Sequence, residues 1–489
     1  MSILVVDVGT SGVRSSIVRA DGTVEHVHHV QILPDTPFPG LVEFDASALA
    51  AAVLDVANRS LADGGPVAGV GIANQRASTI VWDRATGQPV GPGIGWQDLR
   101  TVGTCLELQA KGFRLAPNAS ATKVAALLDL VDPDRSRAER GELAFGTVDT
   151  WVVWTLTGGR LHVTDASNAG VTGLVRGDAS EWDTAVLDEL RIPVSMLPTI
   201  VDSTGIIGDA VVLSGRPPIA GIAGDQQASL VGQGCTRPGL AKATFGSGGM
   251  LDQCVGATRP SFSSRGEGGT IPVVAWRRGG EVTWGIEAIM LSAGTCVEWL
   301  RDDLGLIDTA AASNEIAASC ADTGDVWFVP ALLGLGTPVW DFGARGTFVG
   351  ITRGTGRPQL VRAVLEGVAH RGCDLLLAAE TDSGLPIESL RIDGGMAAND
   401  VFAQALADTC GRPIEISPVL EATTLGAAYL AGMAVGLWKD EHDIARTWTP
   451  RKVVEPSISA DEHHTRRDRW LRARGRAEAT IPELSGLDF

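Results

Sequence analysis

The chain has 489 residues, 44% of them hydrophobic, and a formal net charge of −18. That length exceeds one ordinary domain, and that acidity argues against a nucleic-acid partner, because no basic run of useful length appears before Arg466-Arg467-Asp468-Arg469. No stretch approaches the ~20 apolar residues of a membrane span, and the start resembles a first strand more than a leader, so a cytoplasmic protein is expected. Residues 3–6 form a short apolar run that ends in Asp7 and Gly9. Residues 14–18 and 24–30 follow as strands, separated by Asp21-Gly22, a strong hairpin signal. Residues 48–57 have helical spacing, and 67–73 read as a buried strand ending in Asn74-Gln75-Arg76.

Further along, residues 219–223 make a strand that stops at Gly224-Asp225-Gln226, with helical residues running on to Gln233. Residues 241–245 are a strand ending in Gly246-Ser247-Gly248-Gly249, and a domain boundary is placed near 243. Pro358 opens a helix whose positions Val361, Val364, Leu365 and Val368 share one face. Residues 390–392 are a strand ending in Asp393-Gly394-Gly395, and 426–436 form a small-residue helix suited to close packing on a sheet. From about 455 the chain is charged and helical, expected as a surface element. The expected organisation is therefore α/β, with an N-terminal domain over 1–243 and a C-terminal domain over 244–489. Glycine-acid loops at 7–14, 224–226 and 393–399 point to a cleft between them, because ligands of open α/β sheets sit beyond the carboxyl ends of strands.

The seven cysteines are odd in number and none has CxxC spacing, which predicts reduced, mostly buried thiols. His26, His28 and His29 lie on an expected strand and alternate with its solvent face, and His370 reads as a helix residue satisfied locally. The chain has no GxxxxGK[ST] and no strand-to-helix GxGxxG, so neither a P-loop nor a dinucleotide fingerprint is present. Asp7, with Gly9-Thr10-Ser11-Gly12 and Arg14, is open to two readings. One is a plain hairpin; the other is a phosphate-wrapping turn whose carboxylate holds magnesium through water. Asp225 at a helix start is likewise either a cap or a general base.

A longer set of motifs occurs in one order over roughly residues 1–440. It comprises Asp7-Val8-Gly9-Thr10-Ser11, Asn74-Gln75-Arg76, Val81-Trp82-Asp83, Trp96-Gln97-Asp98 and Phe145-Gly146-Thr147-Val148-Asp149-Thr150-Trp151. It continues with Ala223-Gly224-Asp225-Gln226-Gln227, Gly334-Leu335-Gly336-Thr337-Pro338-Val339-Trp340-Asp341, the stretch 344–354, Asp393-Gly394-Gly395-Met396-Ala397-Ala398-Asn399 and Thr424-Leu425-Gly426-Ala427-Ala428-Tyr429-Leu430-Ala431-Gly432. Together they resemble the FGGY family of carbohydrate kinases, its glycerol kinase branch above all. The resemblance implies two ribonuclease-H-like, actin-type domains closing over ATP and an acceptor alcohol. It implies phosphate contacts at Thr10, Ser11, Gly12, Arg14, Gly246 and Ser247, and a nucleotide pocket at Gly294, Gly395, Met396 and Asn399. Glu298 stands where the family usually has Gln. Asp7 and Asp225 match the magnesium-associated acid and the catalytic base, with Asp225 near the metal. ATP, Mg²⁺ and a small polyol or sugar are the implied ligands, and a homodimer or homotetramer the implied assembly.

The acceptor pocket departs from the family pattern. Arg76, Trp96, Asp225 and Gln226 remain. Ala77 stands at the position of a Glu, Asn118 at that of a Tyr, Met250 at that of an apolar aromatic and Ala126 at that of a Trp. These changes leave open a glycerol kinase with compensating residues and a wider pocket for a tetritol or pentitol. A ketose or aldose is a third possibility, although Gln75-Arg76-Ala77-Ser78 argues against xylulose. A catalytically silent actin-like protein is disfavoured by the presence of both Asp7 and Asp225.

Overall fold

The computed structural model describes residues 1–177, 179–419 and 421–487. Its centre is a 13-stranded sheet in which one arrangement occurs twice. In the first half, Ser2–Gly9 pairs antiparallel with Gly12–Arg19, which pairs antiparallel with Val24–Gln31. On its other edge Ser2–Gly9 runs parallel to Gly69–Asn74, which runs parallel to Pro218–Gly224. In the second half, Ala241–Phe245 pairs antiparallel with Gly249–Gly256, and that strand with Glu281–Met290. Ala241–Phe245 also runs parallel to Leu390–Asp393, and that strand to Ile414–Ile416. Between the halves the ladder thins to the single parallel pair Thr204 and Arg278, on strands Thr204–Asp209 and Ile271–Arg278.

Local chemistry explains the elements. Gly22 takes φ 84° in the turn between the second and third strands, and Asp21 Oδ1 accepts from Thr23 N at 3.0 Å. The helix Ala46–Gly64 starts where Asp45 accepts from the N–H groups of Ser47 and Ala48, and ends at Gly65 with φ 77°. Its counterpart Arg357–Ser383 has Pro358 in its first turn and stops at Gly384, φ 66°. Val361, Val364, Leu365 and Val368 are all fully buried, as their spacing predicts. Six of the seven cysteines are buried free thiols.

In each half a helix follows the last parallel strand: Asp225–Gly232 in the first, Ala422–Ala434 in the second. They pack with almost no side chain between them. A β-carbon on Gly426 would lie 1.7 Å from the Ala228 carbonyl oxygen, and one on Gly232 1.9 Å from that of Ala422. The second helix also lies on the first half's strands, where a β-carbon at Gly71 or Gly221 would meet its backbone at 2.4 Å. The expected small-residue helix therefore exists, four residues earlier at its start than the sequence suggested.

Two expectations are refined. The charged tail is no mere surface element: within Ala460–Arg474, Trp470 is fully buried and its ring stacks on His370 at 4.9 Å. Arg467 and Arg474 reach back to Asp374 at 2.6 and 3.2 Å, beside Arg371 at 2.8 Å. One aromatic and a set of arginines matched to a buried acid suffice to dock a segment whose composition is otherwise that of a solvated helix. His370, in turn, is held by stacking, since its buried Nδ1 finds no hydrogen-bond partner among the described residues. The third strand is exposed and half-buried in alternation; there His28 is bound to Asp63 at 2.8 Å.

Burial pushes His370 down to about 3 and His162 down to about 4. Both stay neutral in the fold while the unfolded chain takes up protons below about 6.5, so their share of the stability is full above that pH and is lost as acid is added. Asp374, held down to about 2 by Arg371, Arg467 and Arg474 against its burial, loses its share only below its ordinary range near 3.8. Each histidine is expected to subtract about 2 kcal/mol between pH 7 and pH 5. Over the same range this is opposed by Asp7, Asp149 and Glu287, whose carboxyls burial raises to about 7 and which take up protons in the fold before they do in the unfolded chain. Urea unfolding of the parent and of His370→Phe at both pH values isolates the His370 share, a loss of about 2 kcal/mol that the parent shows and the variant lacks.

Candidate active site

The turn 9–12 sits at the end of the first hairpin, with Asp7 opposite Arg14 in the ladder. Thr10 is tied down by the Trp96 indole, which donates to its Oγ1 at 3.2 Å, whereas Ser11 is exposed. Gly12 owes its identity to packing: a β-carbon there would meet His29 and the Val30 carbonyl at 2.6 Å. Arg14 is ion-paired with Glu421, beside the start of helix Ala422–Ala434. Burial raises the Asp7 carboxyl to about 7; Arg14 opposes this, and the charges of Asp225 and Glu421 add to it.

Of the polar residues that close strand Gly69–Asn74, Arg76 meets Asp225 and Glu287. Asn74 exchanges amide hydrogen bonds with Asn168 at 2.8 and 3.0 Å. Gln75 donates to the Gly9 carbonyl at 3.3 Å and accepts from Ser78 at 3.0 Å. Arg76 Nε lies 3.3 Å from Asp225, its Nη2 lies 2.7 Å from Glu287, and the same nitrogen is 3.8 Å from the Met250 sulfur. Burial opposes the arginine's charge, but Glu287, Asp225 and Asp252 outweigh it and hold Arg76 firmly protonated. Asp225 is raised by burial and pulled back by Arg76, which leaves a carboxylate of increased proton affinity at the first turn of its helix. Gln226 beside it accepts from Lys242 at 2.6 Å.

Two of the departures, Ala77 and Asn118, are linked through the helix Ser120–Val131, whereas Met250 lies on Gly249–Gly256 beside Arg76. Ala77 is buried in the left-handed region at φ 59°, and its carbonyl accepts from Ser120 at 2.9 Å. The buried Lys123 donates to the carbonyls of Gly95, Trp96 and Asn118 at 2.9, 3.0 and 3.3 Å. It thereby fastens Asn118 to Trp96, while burial lowers its own ammonium to about 7. The Asn118 side chain is exposed. Ala126, on the same helix Ser120–Val131, is half-buried.

The second hairpin repeats the first. Gly246 and Ser247 receive the start of helix Gly294–Asp302: Gly294 N donates to Gly246 O at 2.8 Å, and Ala293 N and Thr295 N donate to Ser247 O at 2.8 and 3.2 Å. Only glycine fits at 294, 2.6 Å from the Gly246 oxygen for an added β-carbon. Gly394, at φ 85°, lies against the Phe245 carbonyl, while Gly395 faces open space and Met396 is buried. Asn399 caps helix Asp400–Cys410 through Phe402 N and donates to Ser313, both at 3.0 Å. Its side chain thus has a structural task besides any ligand. Glu298 is exposed, one turn beyond Gly294.

Four site residues lie outside the sequence expectation: Lys242, Asp252, Glu287 and Glu421. The first three are charges inside apolar strands, in Ala241-Lys242-Ala243, Leu251-Asp252-Gln253 and Ile286-Glu287-Ala288. That interruption was the available signal, because a buried charge requires a partner.

Among the described residues no group of three or more His, Cys, Asp or Glu side chains is arranged as a metal cage. Asp7 and Asp225, each raised by burial and with Asp7 raised further by Asp225's charge, nevertheless fit a divalent cation held through water. Magnesium commonly takes only one or two carboxylates and completes its shell with water and phosphate.

The duplicated sheet, two glycine hairpins and an acid-arginine centre are those of the FGGY family of carbohydrate kinases, to which this chain belongs: the family's N-terminal domain model matches residues 2–232 and its C-terminal domain model residues 270–435. Within the family its similarity runs to the glycerol kinases. It is 43% identical to the glycerol kinase of Trichlorobacter lovleyi, over 96% of this chain and 97% of that one. It is 41% identical to glycerol kinase 2 of Thermotoga maritima, over 97% and 98%. The crystal structure of Plasmodium falciparum glycerol kinase with ADP superimposes with a TM-score of 0.91 at 28% identity, covering 97% of this chain and 98% of that one. A xylulose kinase from Lactobacillus acidophilus, 22% identical with a TM-score of 0.86 over 99% and 100% of the chains, shares the fold.

Proposed function

We propose that the protein transfers the γ-phosphoryl group of ATP to a hydroxyl of a small polyol. The observation that carries this reading is the Asp225 carboxylate, raised in proton affinity and held 3.3 Å from Arg76 at the start of a helix. Asp225 takes the proton of the attacking hydroxyl, while Arg76 and Gln226 hold its neighbouring oxygens and Trp96 closes one side. Thr10, Ser11 and Gly12 from one hairpin, and Gly246 and Ser247 from the other, offer N–H groups and hydroxyls to the phosphates. Arg14 exchanges Glu421 for a phosphate oxygen. Magnesium at Asp7 and Asp225, when bound, neutralises charge on the transferring group. Gly294, Gly395, Met396 and Asn399, with the exposed Glu298, border the nucleotide. Phosphoryl transfer depends on positioning and electrostatics, which a cleft between domains divided near residue 243 supplies by closing. The working form we infer is a cytoplasmic homodimer or homotetramer.

ADP release in the presence of ATP, Mg²⁺ and a panel of glycerol, tetritols, pentitols, ketoses and aldoses tests this. Stimulation by at least one polyol is expected, and no stimulation by any acceptor would remove the kinase reading. The small residues Ala77 and Asn118 favour an acceptor longer than glycerol. Ala77→Glu restores a carboxylate and should shift the kcat/KM ratio toward glycerol by about ten- to a hundredfold, the worth of one charged hydrogen bond. An unchanged ratio would show that position 77 does not set the preference.

A further inference from the structure

Behind Arg76 and Gln226 lies a row of charges that the mechanism above does not use. Lys242, Asp252 and Glu287 sit directly opposite one another on the three antiparallel strands of the second half, in register Lys242 to Asp252 to Glu287. All three are buried: Lys242 is fully enclosed, and Asp252 and Glu287 are 3% and 5% exposed. Lys242 and Asp252 form an ion pair at 2.8 Å. The two ends of the row reach across to the two polar acceptor residues of the first half. Lys242 donates to Gln226 Oε1 at 2.6 Å, and Glu287 holds Arg76 Nη2 at 2.7 Å. An ammonium can only donate, so it fixes which way the Gln226 amide faces and leaves Nε2 free. Glu287 fixes the guanidinium at one edge while its Nε meets Asp225.

We propose that Lys242, Asp252 and Glu287 are positioning residues that set acceptor binding by orienting Gln226 and Arg76. The row acts from one half of the molecule on side chains of the other, so it also makes the acceptor site dependent on how the halves meet. A buried ion pair can often be replaced by apolar residues of similar volume at no cost in stability. That property separates positioning from mere support of the fold.

The inference rests on the kinase reading, and the test keeps the two apart. With the best acceptor of the panel, Lys242→Met/Asp252→Leu is expected to melt near the parent protein and to keep its KM for ATP within about twofold. Its acceptor KM should rise about ten- to a hundredfold. Glu287→Gln, close in shape and lacking only the charge, should raise acceptor KM similarly and provides the second variant if the pair replacement does not fold. In a Gln226→Ala background the Lys242→Met/Asp252→Leu replacement should have no further effect on acceptor KM, because the residue it positions is already gone. Parental acceptor KM in both the pair replacement and Glu287→Gln would overturn the inference, as would full additivity with Gln226→Ala. Absence of turnover in the parent with every acceptor would overturn the kinase reading and the inference with it.

Discussion

Asp225→Asn should lower kcat by about two to four orders of magnitude, the usual contribution of a positioned general base, while ATP affinity stays within a few-fold. The substitution is nearly isosteric, and the amide oxygen can still accept from Gln226 N, now 2.8 Å from Asp225 Oδ1. What disappears is the ability to take a proton. Arg76 keeps its contact with Glu287, so the acceptor side should stay ordered. Binding of a non-hydrolysable ATP analogue, measured by calorimetry beside steady-state turnover, separates chemistry from nucleotide affinity. A kcat within tenfold of the parent would remove Asp225 from the role of base.

Gly426→Val should be the most damaging single change to the fold. Its β-carbon would stand 1.7 Å from the Ala228 carbonyl oxygen, a backbone atom that cannot swing aside as a side chain can. Helix Asp225–Gly232 would have to move bodily, at a cost of about 3 kcal/mol or more. The displaced helix carries Asp225 at its first residue, so activity should fall even in the fraction that remains folded. Thermal unfolding and the specific activity of the folded fraction measure the two effects. Gly384→Ala, at a helix end, is a control for losing a glycine where there is space: an added β-carbon meets nothing within 4 Å there, and only the φ of 66° resists it. A melting temperature for Gly426→Val equal to that of this control would show that the helices have room to spare.

The parts of the fold legible in the sequence are those set by neighbours in the chain. The Asp21-Gly22 hairpin, the Pro358 helix start and the strands ending at Gly9, Gly224 and Phe245 follow from turn chemistry and apolar runs. The motifs were enough to name Arg76, Asp225 and Gln226, which the structure brings to one centre. What the sequence hid depends on pairing across long separations. Lys242 and Glu287 look like isolated polar residues in strands until the ladder lines them up. Trp470 looks like part of a solvated helix until Asp374 gathers three arginines beneath it. Gly12 reads as a phosphate residue, yet its near neighbours in the third strand already forbid a side chain.

The two five-stranded units match strand for strand, and the helices that follow them touch as equivalents. Each helix presents an acid at its start: Asp225 meets Arg76, and Glu421 meets Arg14. The chain thus carries one unit twice, and its two copies pack through corresponding helices. The same helix end is paired with the arginine beyond a parallel strand in one unit and, in the second, with a hairpin arginine of the other unit's first strands.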